Sequence, residues 1–276
     1  MYIFAQPLGY IIRPIYELIQ NYGITLIIVT ILVRVLTIPL TIMSQKSTTK
    51  TQMLQPEMAK IQAKYKNDKE KMSQEIQKLY TKHGVNPMGG CLPLIVQMFV
   101  LFGFIRVVYD PLQYILQLSK EQISHIMETV GAKIGTYQVT LCGMDKVKEI
   151  LVNEYGKTPI NFDFFGIDLT QMLKGNEGDL LLWIFPVLAT LATVASSYLS
   201  KKQMASTAAA SNGQAASMSN SMMYLMPIMT GYFTYIMPAG MSLYWFVSTA
   251  FQLLQQTVIN DLIKKSIEKE NTLKGK

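Results

Sequence analysis

Residues 23–43 read GITLIIVTILVRVLTIPLTIM, an apolar run interrupted by one charge, Arg34. A helix of about 20 apolar residues is long enough to cross the hydrocarbon core of a bilayer. A charged side chain at bilayer depth costs about 2.5–3.5 kcal/mol on insertion scales, so some feature of the fold must offset the charge of Arg34. The stretch therefore predicts a membrane-spanning helix that carries a functional arginine. Pro39 falls in the last turns of this helix, where a kink is tolerated if neighbouring groups satisfy the freed carbonyl.

Four further apolar segments follow, at residues 91–109, 180–200, 221–238 and 241–262. The chain has 276 residues, of which 50% are hydrophobic and 16% are charged. This composition is typical of a membrane protein with sizeable polar segments and not of a soluble α/β enzyme. The sequence therefore predicts an all-α integral membrane protein with five transmembrane helices. Residues 1–22 contain Arg13, Pro14 and Glu17 in an otherwise apolar stretch, which predicts an amphipathic helix lying in the membrane interface.

Residues 44–84 predict an antiparallel helical hairpin with narrow apolar seams. Apolar residues recur every three to four positions on both sides of a polar turn at residues 66–69. Pro56 suits the first turn of the first helix, and Gly84 suits the end of the second. The lysine-rich surface of this hairpin has two readings: a solvated face, or a docking surface for anionic lipid, ribosomal RNA or targeting factors.

The distribution of lysine predicts the orientation in the membrane. Residues 44–84 carry nine lysines against four acids, whereas residues 110–179 carry six lysines against ten acids. Lysine and arginine accumulate in short cytoplasmic segments. We therefore expect residues 44–84, 201–220 and 263–276 in the cytoplasm, residues 110–179 outside, and the N-terminus outside with the C-terminus inside.

The connecting segments differ in character. Residues 119–130, with Ser119 as cap, and residues 144–154 predict two helices within the outer segment 110–179, to which we assign no function. Residues 201–220 are rich in Ala, Ser, Asn, Gln and Met and predict a flexible cytoplasmic linker. Residues 263–276 form a basic tail.

The surroundings of Arg34 predict a hydrated groove. The apolar runs, up to residue 260 in the last, contain no Asp, Glu or His that could pair with it. Snorkelling, backbone carbonyls or a water-filled groove remain, and we favour the groove. Further polar or amphipathic side chains could line it, although each alone is also an ordinary helix or interface residue: Thr30, Gln97, Ser197, Tyr244 and Trp245.

Methionines in the fourth span, Met222, Met226 and Met229, suggest a surface that accepts varied apolar segments, because methionine is flexible and polarizable. Ordinary lipid-facing packing is an equal alternative for any one of them. No catalytic residue is predicted: the chain has no nucleotide-binding glycine loop and no nucleophile–base pair. Cys91 and Cys142 are expected on opposite sides of the membrane, as are the two histidines, so we predict no disulfide, metal site or cofactor.

Several motifs together resemble the YidC/Oxa insertase family, from about residue 20 to about residue 265. They are TILVR at 30–34, PL at 39–40, MLQPE at 53–57, NP at 86–87, GGCLPLIVQ at 89–97, GIDLTQ at 166–171, MP at 226–227 and PAGMSLYW at 238–245. Arg34 matches the family's groove arginine, and Thr30, Gln97 and Trp245 match groove or substrate-contact positions. Ser197 departs from the family, which often has Gln there. The lack of a large β-rich outer domain looks like a Gram-positive-type member.

The resemblance implies a non-enzymatic, monomeric insertase and chaperone of the bacterial cytoplasmic (inner) membrane. Its implied partners are nascent membrane proteins, the Sec translocon and the lipid bilayer. From the lysine-rich sequences themselves we expect the ribosome or targeting factors as further partners, which would bind the hairpin and the basic tail. The expected mechanism is passage of a polar substrate segment through the groove. A small-solute channel or transporter is the alternative, against which the absence of membrane-depth acids argues.

Overall fold

The computed structural model describes the backbone of residues 2–85, 92–133, 136–205 and 214–274, and the side chains of residues 5–85, 95–133, 136–200 and 224–259. Residues 86–91, and the side chains of Met222 and the basic tail, lie outside these ranges. The helices, in chain order, are α1 Tyr2–Ile19, α2 Tyr22–Leu36, α3 Ile38–Met53, α4 Gln55–Lys64, α5 Lys69–Lys82, α6 Leu92–Tyr109, α7 Pro111–Tyr114, α8 Lys120–Thr129, α9 Gln138–Cys142, α10 Asp145–Asn153, α11 Ile184–Ala205, α12 Gln214–Ile236 and α13 Ala239–Lys274.

The first predicted span is two helices and not one. Helices α2 and α3 meet at Thr37 with a bend of 52°. Pro39 lies in the first turn of α3, where its missing N–H needs no partner, whereas in the interior of a continuous helix its ring would clash with the preceding turn. The sequence predicted one continuous span in which a kink near Pro39 is tolerated, whereas the structure breaks the helix two residues before the proline.

Helix length and hydropathy alone identify fewer spans than the sequence predicts. In the described parts of the chain, residues 180–200 form one helix long and apolar enough to cross a membrane, with a mean hydropathy of 1.9. The bent pair α2 and α3 qualifies as a second if it is counted as one span. Residues 95–109 form a shorter apolar helix.

The chain forms two compact units. Unit 1 comprises residues 1–34, 97–192 and 229–249, and unit 2 comprises residues 35–96, 193–228 and 250–276. The chain therefore passes between units at five places, and each place falls within one of the five predicted spans. Unit 1 contains nine basic and eleven acidic residues, whereas unit 2 contains sixteen basic and seven acidic residues. The net charges are −2 and +9, which together give the +7 of the whole chain.

Unit 1 is built around a large apolar core that joins α1, the short helices α7–α10 and one end of each predicted span. Two short antiparallel strands, β1 (Asp163–Phe164) and β2 (Ile167–Asp168), form a hairpin that the all-α prediction missed. Ser119 caps α8, as its sequence predicted, and the structure adds a capping box with Gln122. The helix expected at residues 144–154 is present as α10.

A clamp of hydrogen bonds joins residues 169–177 to the turn between α12 and α13. The backbone N–H groups of Ala239 and Gly240 donate to the carbonyls of Gln171 (2.8 Å) and Leu169 (3.1 Å). In the other direction, the Lys174 N–H donates to the Tyr235 carbonyl at 3.0 Å. The Tyr235 hydroxyl also donates to Glu177 at 2.6 Å. The clamp gives a structural role to part of residues 110–179, for which the sequence indicated no function.

Unit 2 contains the paired helices α4 and α5. Their seam is a small apolar cluster of Leu54, Leu79 and Val85, against which Met58, Ile61 and Tyr80 pack. Asp68 caps α5 by accepting a hydrogen bond from the Lys71 N–H at 3.0 Å. The pair ends at Gly84, whose φ of +60° suits glycine. Burial here is limited, so most of the lysine-bearing surface faces outward.

Residues 201–220 were predicted to be a flexible linker, but the described part of that segment is helical. Helix α11 continues to Ala205, and α12 begins at Gln214. Alanine, glutamine and methionine have high helix propensity, and this overrides the reading of a polar, small-residue stretch as a linker. Residues 206–213 lie outside the described ranges.

Candidate functional site

Arg34 lies in the last turn of α2 and is hydrogen-bonded to α13. Its Nε donates to the Oγ of Ser248 at 3.0 Å. One terminal guanidinium nitrogen donates to the same oxygen. Ser248 is buried, with 4% of its surface exposed. The two donors from one guanidinium fix the orientation of its plane, because a planar fork cannot rotate without breaking one of them.

Tyr244 lies one helical turn before Ser248 on α13, and its side chain is also buried. Its ring stacks on Phe104 of α6, with the ring centroids 4.3 Å apart. Its hydroxyl lies beside the side chains of Ser248 and Gln97. That hydroxyl makes no hydrogen bond of ordinary geometry within the described side chains. A buried hydroxyl without such a bond is costly, which is consistent with a site that receives water or a polar ligand.

Gln97 brings α6 into the same cluster, so side chains from α2, α6 and α13 meet near Arg34. It is half-buried, at the point where the chain enters unit 1. We define the polar cluster as Arg34, Ser248, Tyr244 and Gln97. Three of its four members were predicted from the sequence. Ser248 was missed, although its spacing of four residues from Tyr244 puts both on one helix face.

Thr30 lies one turn before Arg34 on α2, as predicted, and is 1% exposed. Its hydroxyl donates to the carbonyl of Leu26 at 2.6 Å. A hydroxyl engaged with its own helix in this way fills an ordinary structural role. This geometry therefore favours an ordinary helix role for Thr30 over a role in lining the groove.

The other predicted residues are more dispersed. Trp245 is half-buried, and its ring lies 6.3 Å from that of Phe233. Ser197 is half-buried on the part of α11 that belongs to unit 2. Met226 in unit 2 and Met229 in unit 1 are 46% and 41% exposed on α12. The two methionines thus have the surface that a contact with apolar segments needs.

Arg106, the second arginine within a predicted span, has an acidic partner. Its guanidinium lies 3.1 Å from the carboxylate of Asp110, which follows α6. Burial raises the pKa of Asp110, and the hydrogen bond and charge of Arg106 oppose that rise. Among the described residues, no group of three His, Cys, Asp or Glu side chains could hold a metal ion.

Comparison with known proteins gives a match to the family described as 60Kd inner membrane protein, over residues 14–266. A protein of Fusobacterium nucleatum is 29% identical over 257 residues, which are 93% of this chain and 95% of the relative. One of Geobacter metallireducens is 27% identical over 94% of this chain. One of Syntrophus aciditrophicus is 43% identical over 48% of it. All three carry the name membrane protein insertase YidC.

The relatives differ in length. The chain spans 37% of the Geobacter protein and 24% of the Syntrophus protein, but nearly all of the Fusobacterium protein. The matched region contains the whole polar cluster and all five predicted spans. Because the family match covers far more than half of its length, the chain belongs to the 60Kd inner membrane protein family, which is the YidC/Oxa family.

Proposed function

We propose that the protein is a membrane protein insertase, which moves hydrophobic segments of other proteins from water into the lipid bilayer. The names of its relatives support this activity. The observation that carries the proposal is that Arg34 is held by the neutral hydroxyl of Ser248 within apolar helices. A hydroxyl partner leaves the positive charge in place, and that charge can attract acidic residues of a substrate.

The proposed mechanism needs no covalent chemistry. A polar substrate segment enters a hydrated groove at the polar cluster, where Arg34 attracts its acids. The groove lowers the cost of desolvating that segment. The apolar helix of the substrate then passes the exposed surface of Met226 and Met229 into lipid. Burial of each large apolar side chain contributes about 1.5–3 kcal/mol, so a span of about 20 residues supplies the driving force without a nucleotide.

We further propose five spans in the inner membrane, with the N-terminus outside and the C-terminus in the cytoplasm. The five apolar segments at residues 23–43, 91–109, 180–200, 221–238 and 241–262 support this count. The nine lysines against four acids in residues 44–84, and the six lysines against ten acids in residues 110–179, support the orientation, since basic residues accumulate on the cytoplasmic side. Residues 1–22 would lie in the outer interface.

The paired helices α4 and α5 are proposed as the docking surface for the ribosome or targeting factors, with the basic tail as a second contact. Lys64 and Lys71 both lie over the ring of Tyr65, at 5.2 and 5.9 Å from its centroid. These lysines stand at the tip of the pair and offer positive charge to an anionic partner. Action as a monomer, alone or beside the Sec translocon, is part of the same proposal.

Reconstitution of the purified chain tests the insertase proposal. A short single-span membrane protein is translated in the presence of proteoliposomes, and protease protection of its span is measured. We expect protection well above that of protein-free vesicles. Protection equal to the protein-free level would reject the proposal, and solute flux without insertion would favour a channel or transporter.

A further inference from the structure

The turn between β1 and β2 uses an unusual residue. Phe164 pairs with Ile167, so Phe165 and Gly166 are the two turn residues, and their φ values are +55° and +80°. Two-residue hairpin turns with positive φ at both positions strongly favour Asn-Gly or Asp-Gly. A phenylalanine in the left-handed region is strained. A residue that carries such a cost often has a functional reason.

Phe165 is also the most exposed large hydrophobic side chain within the described part of the chain, at 87%. Its ring contacts that of Phe164, with centroids 4.7 Å apart, and otherwise projects outward. Water is a poor environment for an exposed aromatic ring. The backbone conformation and the hydration of Phe165 are therefore both unfavourable. An apolar partner that covers the ring would remove the cost of hydration.

Hydrogen bonds and ring contacts hold the hairpin beside the first turns of α2 and α11. The Tyr22 N–H donates to the Asn161 carbonyl at 3.0 Å, and the Asn21 side chain donates to the Asp163 carbonyl at 2.9 Å. Phe164 occupies the space that a side chain at Gly23 would need. The ring of Phe164 lies 6.0 Å from that of Phe185, in the first turn of α11.

These contacts set the depth of the hairpin relative to a bilayer. Among the described residues, the helix over residues 180–200 is long and apolar enough to cross a membrane, and the bent pair α2 and α3 is a second candidate when it is counted as one span. Both begin beside the hairpin, so the hairpin lies at the level where two spans enter the bilayer. Trp and Tyr are enriched at that level, and phenylalanine is common on the apolar face of segments that lie in the interface.

Residues just before α11 are also apolar and exposed. Leu180, Leu181 and Trp183 are 81%, 47% and 39% exposed. The indole N–H of Trp183 donates to the carbonyl of Glu177, which keeps the polar edge of the ring satisfied. An apolar ring body beside a bonded polar edge suits the boundary between lipid and water.

We propose that Phe165 inserts into the outer leaflet, so that the β1–β2 turn is a lipid anchor for the outer ends of α2 and α11. The partner is phospholipid, at the level of the glycerol and the first acyl carbons. Asp163 and Asp168 flank the turn and disfavour anionic headgroups, so the contact is apolar and does not depend on negatively charged lipid. This inference rests on the membrane orientation within the proposed function and not on insertion activity.

Site-directed spin labelling tests the anchor. The full chain, with Cys91 and Cys142 replaced by alanine, carries Phe165→Cys with a nitroxide label in phosphatidylcholine nanodiscs. Accessibility to oxygen and to a water-soluble nickel chelate is measured. Thr158→Cys, on an exposed outer position, is the matched water control, and Leu188→Cys, exposed on α11, is the lipid control.

We expect the label at position 165 to be reached by oxygen and to be several-fold less accessible to nickel than the label at position 158. Nickel accessibility equal to that at position 158 would overturn the proposal. Exclusion of both reagents would also overturn it, because it would show that the label contacts protein and not lipid. A second measurement avoids the label: Phe165→Trp, with Trp183 and Trp245 replaced by phenylalanine, should be quenched most by lipids brominated near the headgroup. Absence of quenching would overturn the proposal. Neither readout uses insertion, so failure of the insertase proposal remains distinguishable.

Discussion

Arg34 and Ser248 are 214 residues apart in the chain, yet the Arg34 Nε donates to the Ser248 Oγ at 3.0 Å. The bond joins the helix of the first predicted span to that of the last. It gives Arg34 a fixed orientation without neutralising its charge.

Arg34→Ala should reduce insertion of substrates with acidic outer segments about tenfold, which corresponds to about 1.4 kcal/mol. Arg34→Lys should retain much activity, because lysine keeps the charge and loses only the planar fork. Arg34→Glu should be worse than alanine, because it repels substrate acids. The measurement is insertion of one substrate in acidic and neutralised versions, normalised to insertase level. Equal loss for both versions would contradict charge attraction.

Ser248→Ala should lower the free energy of unfolding by about 0.5–2 kcal/mol. The range spans the weak hydrogen bonds measured between membrane helices and the stronger ones to charged groups. Because the guanidinium loses its orientation but not its charge, insertion of acidic substrates should fall less than in Arg34→Ala. Thermal unfolding and the same paired substrates measure both effects.

Ser248→Thr keeps a hydroxyl and should restore both quantities. Ser242→Ala is the matched control, because the buried Ser242 hydroxyl donates to the Thr234 carbonyl at 3.2 Å and not to Arg34. Its ratio of acidic to neutral insertion should equal that of the unmodified protein. A changed ratio in Ser242→Ala would show that any buried hydroxyl on α13 has this effect.

Gly23→Ala should destabilise unit 1 by about 1–3 kcal/mol, because overpacking forces neighbouring atoms to move. A Cβ at position 23 would lie 2.4 Å from Cδ2 of the Phe164 ring. Gly178→Ala is the control, since a Cβ there would have no atom within 4 Å. Thermal unfolding in detergent measures both variants, and equal midpoints would show that the hairpin moves aside at little cost.

Acid should weaken the clamp through Glu177. The Gly175 N–H and then the Tyr235 hydroxyl donate to this carboxylate and lower its pKa to about 2. The unfolded value is near 4.3. A carboxyl with a lowered folded pKa contributes stability that is complete above its unfolded pKa. That contribution is lost as the pH falls from about 4.3 towards 2.

Glu177→Gln should remove this part of the pH dependence. Thermal unfolding of both proteins is measured between about pH 6 and about pH 2.5. The unfolding midpoint should fall less with decreasing pH in the glutamine variant, because that variant lacks one titrating carboxyl. Parallel curves would mean that Glu177 does not contribute.

Cysteine labelling from each side of the membrane tests orientation. Gln20 and Thr158 are exposed positions in unit 1 and should react with an impermeant reagent from outside. Lys60, exposed on α4 in unit 2, should react only after the membrane is opened. Outside labelling at Lys60 would contradict the proposed topology.

Local sequence signals predicted much of the secondary structure because they act over a few residues. Pro39, Ser119 and Gly84 mark a break, a cap and an end at or near their own positions. The β1–β2 hairpin was missed because Phe165 stands where a turn residue such as asparagine is expected. Ser248 was missed because its role depends on a contact with a residue 214 positions away, which no local pattern contains.

The clamp between residues 169–177 and the α12–α13 turn also provides a second connection between two parts of the chain. Helices α12 and α13 are connected to the preceding chain by the peptide segment 206–213, but the clamp joins them to it a second time through backbone hydrogen bonds. A cut within residues 206–213 therefore leaves two fragments that still share this joint and the apolar core of unit 1. After such a cut the association of the two fragments is noncovalent, and we expect the two halves, when co-expressed, to associate through these contacts.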